Sequence, residues 1–163
     1  MQLVVDTYVD EDGETKPITR ELRFIDSFRF MPSRLDKLSK NLHDDQCKNL
    51  AKHFSGDKFN LMHRKGMYPY DYIDRLSKLD QAKLPPKQAF YSRLNDQDIS
   101  DEDYAHAQTV WNKFEMNNFR DYLDLYNVSD VLILADVFEN FRDVCIENYG
   151  LHPAWYYTSP GLA

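Results

Sequence analysis

The stretch that decides the fold is Asn118-Phe-Arg-Asp-Tyr-Leu-Asp-Leu-Tyr126-Asn-Val-Ser-Asp130-Val-Leu-Ile-Leu-Ala-Asp136-Val-Phe-Glu-Asn-Phe-Arg-Asp-Val-Cys-Ile-Glu-Asn-Tyr-Gly150. It predicts one long helix from Phe119 to Tyr149, about 46 Å in length at 1.5 Å per residue. Asn118 suits the N-cap, and Asp121, three residues on, serves as a short stand-in for the capping-box glutamate. Gly150 suits the position just past the C-terminus, and Pro153 blocks a restart. Phe119, Tyr122, Tyr126, Ile133, Val137, Phe141 and Val144 recur at steps of three, four and seven, an apolar stripe wide enough to cover a domain core.

Asp130 interrupts that stripe, one turn after Tyr126. A carboxylate on an apolar face is costly to desolvate unless it is paired, hydrogen-bonded or metal-bound. Residues i and i+4 share a helix face, so the phenol and the carboxylate are neighbours. Two readings follow. In the structural one, Asp130 accepts a hydrogen bond from Tyr126 or from a distant arginine. In the chemical one, Asp130 holds a metal and Tyr126 orients a water acidified by it.

Working outward, 163 residues fit one domain with a sizeable core. At 42% hydrophobic and 14% aromatic, the chain should fold. A net charge of -7 argues against phosphate tracking by this segment alone, and is compatible with a carboxylate metal site or with membership of a larger basic machine. Cys47 and Cys145 form no C-x-x-C, and no zinc spacing is present. A reducing intracellular setting, nuclear or cytoplasmic, is the expectation, with one distant disulfide as the alternative. No apolar run approaches about 18 residues, so no transmembrane helix and no membrane partner are expected. The N-terminus carries no secretory pattern. Both ends are expected to be cut rather than finished, since the chain starts directly in strand-like sequence and stops without a polar tail.

Gln2 to Val9 predicts a strand, Asp10 to Gly13 a turn with an Asp-Gly hairpin signal, and Ile18 to Phe30 the return strand, with Asp26 hydrogen-bonded near its end. Two strands alone are marginal, so this hairpin is expected to need sheet from outside the chain. Ser33 is expected to cap a helix from Arg34 to Leu42. A second should run from about Gln46 to Phe54, with Cys47, Leu50, Ala51 and Phe54 inward and Ser55-Gly-Asp57 as a turn. Further helices are expected over Asp71 to Leu79, Lys87 to Leu94 behind Pro86, and Ser100 to about Glu115. His106 suits a surface or capped position. His63-Arg-Lys-Gly66 runs into Met67-Tyr-Pro-Tyr-Asp-Tyr72. Basic groups beside rings suit single-stranded nucleic acid, although the tyrosines could equally fold onto the core. The sum is α+β and mostly helical: one β-hairpin, several short helices and one long helix near the C-terminus.

In order along the chain, Arg23-Phe-Ile-Asp-Ser-Phe-Arg-Phe-Met31, Lys65-Gly-Met-Tyr-Pro-Tyr70, Leu84-Pro-Pro-Lys-Gln-Ala-Phe-Tyr91, Ile99-Ser-Asp-Glu-Asp-Tyr104, Tyr126-Asn-Val-Ser-Asp130 and Asn148-Tyr-Gly-Leu-His-Pro-Ala-Trp-Tyr-Tyr-Thr-Ser-Pro-Gly-Leu162 resemble the exonuclease region of family B DNA polymerases. The likeness is to the protein-primed branch of linear-genome viruses and Polinton (Maverick) transposons, and it covers nearly the whole chain. It implies a partial ribonuclease H-like 3′–5′ exonuclease domain over 1–163. That domain would comprise a hairpin at 1–31, a helical insertion at 33–115, the long helix at 118–149 and the start of a linker to the polymerase domain at 150–163. In the family, carboxylates in three motifs hold two divalent ions, Mg2+ or Mn2+. The third motif, Y-x-x-x-D, falls on Tyr126 and Asp130, which implies a catalytic pair with Asp130 as metal ligand. Ser27 and Phe28 are similar to the motif that touches the single-stranded 3′ end, with Phe28 where leucine is usual. Lys65 is similar to the lysine of K-x-x-hydrophobic, and Tyr70 to an aromatic that packs on the frayed end. The implied partners are DNA, the rest of the polymerase chain and a terminal-protein primer.

The sequence departs from the family by absence. The first motif, D-x-E, and the second would lie before Met1, and Asp10-Glu-Asp12 is D-x-D in a turn. One carboxylate cannot clamp two hard cations. The isolated chain is therefore expected neither to cleave nor to polymerise DNA. Two other readings are a non-enzymatic, transposon-derived DNA- or protein-binding module and an unrelated helical interaction domain.

Overall fold

A computed structural model describes residues 2–162, without the side chains of Pro160 and Leu162. The chain is α+β and 53% helical, with one two-stranded antiparallel sheet and a long helix towards the C-terminus. It divides into two compact units, Met1–Pro32 with Leu151–Ala163, and Ser33–Gly150.

The first unit is built on a hairpin of β1, Gln2–Val9, and β2, Thr15–Glu21. The expected turn closes it: the Gly13 amide donates to the Asp10 carbonyl, and Gly13 takes a φ of 81°, which favours glycine. The Asp10 carboxylate accepts from the Asp12 and Glu14 amides. A register shift between Val4 and Asp6 bulges β1, and Pro17 pairs with Thr7. Proline is tolerated there because each strand of a two-stranded ribbon has an outer edge that needs no donor. The return strand stops at Glu21, well short of the predicted Phe30. Every residue of both strands is solvent-exposed, so no buried face continues the pairing. A 3-10 turn, Ser27–Arg29, follows instead, capped by the Asp26 carboxylate accepting from the Phe28 amide at 3.0 Å. Asp26 is thus hydrogen-bonded as expected, but as a turn cap. The segment after Gly150 is tied to this unit by Arg23, which donates to the Trp155 carbonyl and lies 5.4 Å from the Trp155 ring centroid and 5.9 Å from that of Tyr157. Ser159, at the start of α6, Ser159–Leu162, donates to the Phe30 carbonyl.

The second unit contains α1, Leu35–Ser39; α2, Lys48–His53; α3, Gly56–Met62; α4, Asp101–Lys113; and α5, Phe119–Tyr149. The ends of α5 are those read from sequence. Asn118 accepts from the Arg120 and Asp121 amides, Asp121 completes the capping box, and Gly150 is left-handed at φ 67°. The stripe holds from Phe119 to Val137 and drifts thereafter: Val144 is exposed, Phe141 half-buried, and Cys145 takes the buried place. A straight helix rotates away from a seven-residue repeat, which is the reason for the drift.

The short helices differ more from expectation. Arg34, not Ser33, occupies the N-cap of α1, which ends at Ser39. Ala51 is exposed, whereas Cys47 and Leu50 are buried as expected. Gly56 to Met62 is a helix where only a turn was expected. The predicted helices over 71–79 and 87–94 are 3-10 turns, Tyr70–Tyr72, Leu76–Asp80 and Lys87–Phe90. Helix α4 is as expected, with the Ser100 hydroxyl accepting from the Asp103 amide.

Asp136, on α5, is 1% exposed. Its carboxylate accepts from the Asn49 amide at 2.7 Å, the Asn49 side-chain amide at 3.0 Å and the Leu50 amide at 3.0 Å. Those backbone amides are the orphan donors of the first turn of α2, and Cys47 offers no side-chain cap there. Asp136 thus caps α2 from another helix. Asn140, one turn on, donates to the Gln46 carbonyl at 3.1 Å.

Asp136→Ala leaves these buried amides unsatisfied and is expected to lower unfolding free energy by about 3 kcal/mol in urea denaturation. Val131→Ala, on the exposed side of α5, is expected to change it by no more than about 0.5 kcal/mol.

Candidate functional site

The site forms where the segment after α3 crosses α5. Three interactions fix that crossing. The Tyr122 hydroxyl donates to the Met67 carbonyl at 2.8 Å. The Tyr68 ring stacks over successive rings of α5, with centroids 5.5 Å from Phe119, 6.5 Å from Tyr122 and 5.2 Å from Tyr126. Arg64, just upstream, pairs with Asp103 and reaches Glu102 at 3.5 Å, which ties the segment to the first turn of α4. Gly66 lies against Tyr126: a Cβ there would be 3.4 Å from Tyr126 Cδ2.

This crossing brings Lys65, Tyr70, Tyr126 and Asp130 together. Lys65 Nζ donates to the Tyr126 hydroxyl at 2.7 Å and to Asp130 Oδ2 at 2.5 Å, and lies 4.8 Å from the Tyr126 ring centroid. The Tyr70 and Tyr126 hydroxyls share a hydrogen bond of 2.8 Å. The answer to the Asp130 question is a lysine: the carboxylate is paired with an ammonium sixty-five residues upstream. Asp130 Oδ1 is buried and has no hydrogen-bond partner among the described residues. Of the tyrosines in the basic-aromatic tract, Tyr68 folds onto the core, while Tyr70 is 67% exposed and its hydroxyl meets that of Tyr126. Ser27 and Phe28 belong to the other unit, in the 3-10 turn after the hairpin, with Phe28 58% exposed.

Burial is the main cause that raises the Tyr126 phenol well above its ordinary value, followed by the Tyr70 hydrogen bond and the Asp130 charge. Burial raises Tyr122 likewise, with Tyr68 a further cause, and it raises Tyr68, with Tyr70 a further cause. At neutral pH these phenols are protonated donors. Behind Tyr126 is a cavity of about 20 Å³ lined by Met62, Arg64, His106, Val110 and Ser129, among others. His106 is half-buried rather than at the surface. Burial and then the Arg64 charge lower its pKa, and its Nε2 has no hydrogen-bond partner among the described residues.

The fit to a two-cation centre can be judged from the donors. Among the described residues no group of three or more His, Cys, Asp or Glu side chains converges. Asp130 is the single carboxylate of the cluster, and one of its oxygens already carries the Lys65 ammonium. A pair of hard divalent ions needs several oxygen ligands, so the residues of this chain do not fit one. Cys47 and Cys145 are both free and buried. Burial, followed by the Asp136 charge, pushes the Cys47 thiol up to about 11. No helix is long and apolar enough to cross a membrane among the described residues.

Sequence reasoning did not single out Tyr122 as an anchor for Met67, Arg64 as a strut to α4, or Asp136 as a cap. Only Asp136 carried a signal: it interrupts the apolar run Val131 to Phe138 as Asp130 interrupts the stripe. No family model, curated protein or solved structure matches this chain.

The raised phenols set a pH dependence. Above about pH 10 the unfolded chain releases tyrosine protons that native Tyr68, Tyr122 and Tyr126 retain. The native state then binds more protons, so stability present below that pH is lost as pH rises further. The urea midpoint is expected to fall on the alkaline side, and to fall less steeply in Tyr126→Phe.

Proposed function

We propose that this chain is part of the 3′–5′ proofreading exonuclease region of a protein-primed family B DNA polymerase, with a partial ribonuclease H-like fold, and that it grips the single-stranded 3′ end. The observation that carries the reading is the cluster itself. Lys65, Tyr70, Tyr126 and Asp130, drawn from two separate motifs of the family's pattern, meet within hydrogen-bond distance. The order of the remaining motifs along the chain adds support.

In this reading the Lys65 ammonium supplies charge to a phosphodiester and the exposed Tyr70 ring supplies a face for a base, a pairing suited to single strands. Tyr126 is held by Lys65, Tyr70 and the Tyr68 stack as a rigid hydroxyl. The resemblance also assigns Ser27 and Phe28, in the first unit, a role in contacting single-stranded DNA. The carboxylates that would hold Mg2+ or Mn2+ beside Asp130 come from outside residues 1–163, together with the polymerase chain and the terminal protein. The isolated chain is then a binding element without nuclease activity. A second reading, a non-enzymatic transposon-derived module that binds DNA or protein, is favoured by one observation: Asp130 is paired through Oδ2 with Lys65 rather than grouped with other acids among the described residues.

Fluorescence anisotropy with a short oligothymidylate bearing a free 3′ hydroxyl tests the proposal. The chain is expected to bind it. Tyr70→Ala should weaken binding about tenfold, and Lys65→Ala should reduce the slope of log affinity against log salt by about 0.7. Binding that both variants leave unchanged would overturn the assignment. Mn2+-dependent degradation abolished by Asp130→Ala would overturn the claim that the chain lacks nuclease activity of its own.

A further inference from the structure

A second cavity, of about 340 Å³, opens where the C-terminal ends of α1 and α3 meet the first turn of α4. Lys40, the C-cap of α1, and His63, the C-cap of α3, both line it, with Ser39, Arg64, Lys65 and Asp103 also in the wall. The His63 ring is fixed. It stacks on Phe59 with centroids 5.5 Å apart, and its Nδ1 is 3.2 Å from Asp44 Oδ1. With Nδ1 donating to that carboxylate, Nε2 is the nitrogen left for another partner. His63 Nε2 is buried and has no hydrogen-bond partner among the described residues. A buried polar atom in that state calls for an occupant.

The charges of the wall point to the sign of that occupant. Its acids are already answered: Asp103 and Glu102 pair with Arg64, and Asp36 lies 3.6 Å from Arg34. Lys65 is paired with Asp130. Lys40 is exposed and forms no ion pair or side-chain hydrogen bond among the described residues. Basic side chains at helix C-termini can serve the last carbonyls, but neither Lys40 Nζ nor His63 Nε2 bonds one among the described residues. The groups left open on the cavity are thus an ammonium and an imidazole nitrogen.

We propose that this cavity is a phosphate-binding site, with Lys40 and His63 as its ligand-contacting residues. One anionic oxygen of the phosphate accepts from Lys40 Nζ, a charge-assisted bond. A second oxygen meets His63 Nε2. The neutral ring accepts there from the P–OH of inorganic phosphate or a monoester, and the doubly protonated ring donates to the P–O⁻ of a diester. The site goes beyond the strand-end reading and does not depend on it, because neither Lys40 nor His63 belongs to the Lys65–Tyr70 grip. A free phosphate and a backbone phosphodiester share the chemistry, and the test separates them.

The test is NMR on the 15N-labelled chain, following the His63 Nε2 resonance and the Lys40 backbone amide while sodium phosphate replaces sodium chloride at constant pH and ionic strength. A saturable shift of both signals is expected. Lys40→Gln should raise the midpoint about tenfold, the charged donor having been lost. Lys40→Arg should stay within about twofold of wild type, and so should Lys37→Gln, on the same helix but outside the cavity wall. The amide spectrum reports that each variant is folded. No saturable shift at His63 in wild type would overturn the proposal, as would a midpoint that Lys40→Gln leaves unchanged. Repeating the titration with an oligothymidylate, whose phosphates are all diesters, identifies the source. A His63 shift that Lys40→Gln weakens assigns the site to strand backbone, and a response to inorganic phosphate alone assigns it to a free phosphate or monoester. Loss of the phosphate response with oligothymidylate binding at Tyr70 intact would sink this inference alone, and the converse would sink the strand-end reading alone.

Discussion

Two carboxylates on one helix cannot be left in an apolar environment without partners, and much of the second unit is arranged around meeting that requirement. Asp136 is met by backbone: the amides of Asn49 and Leu50 converge on it, so α2 is docked on α5 by its own unsatisfied first turn. Asp130 is met by a side chain, the Lys65 ammonium. In both cases the partner lies far away in sequence, in a short helix for Asp136 and in the segment after α3 for Asp130. The helices from residue 33 to residue 62 are five to seven residues long, and helices that short are not stable alone. α1 and α2 are held against α5, and α3 is held between α2 and α4, where Asp57 pairs with Lys113.

The aromatic ladder provides the second half of the arrangement. Trp111 from α4, Tyr68 from the crossing segment, and Phe119, Tyr122 and Tyr126 from α5 stack with centroids 5.2 to 6.5 Å apart. Stacked rings bury large area with few rotatable bonds, so they fix the segment at little cost in side-chain entropy. The ladder ends at Tyr126, where ring packing gives way to hydroxyls and charge. A rigid apolar column with a polar tip is a suitable support for a site, since the tip cannot move without unstacking the column.

How much of this was legible in the sequence follows from the range of each interaction. The ends of α5 were legible because capping is local: Asn118, Asp121 and Gly150 lie within a few residues of the bonds they make. Strand β1 and its Asp-Gly turn were legible for the same reason. The extent of β2 was not, because Leu22, Phe24 and Phe28 alternate as a strand does, yet all three are exposed and the sheet has two strands among the described residues. The 3-10 turns between 70 and 90 have apolar residues at spacings shared with α-helices, so spacing alone did not tell the two apart. At the site, spacing alone placed Tyr126 beside Asp130 but left the partner open between Tyr126 and an arginine. Lys65 had been singled out for a different role, contact with DNA. Its pairing with Asp130 depends on the Tyr122–Met67 and Arg64–Asp103 contacts, which no local pattern announces.

The central claim is that α5 and the segment at Lys65 are joined through the Lys65–Asp130 pair. A double-mutant cycle of Lys65→Met and Asp130→Asn, followed by urea denaturation, measures that connection directly. The account predicts a coupling energy of about 1 kcal/mol or more between the two positions. Additive effects, agreeing within about 0.3 kcal/mol, would contradict it.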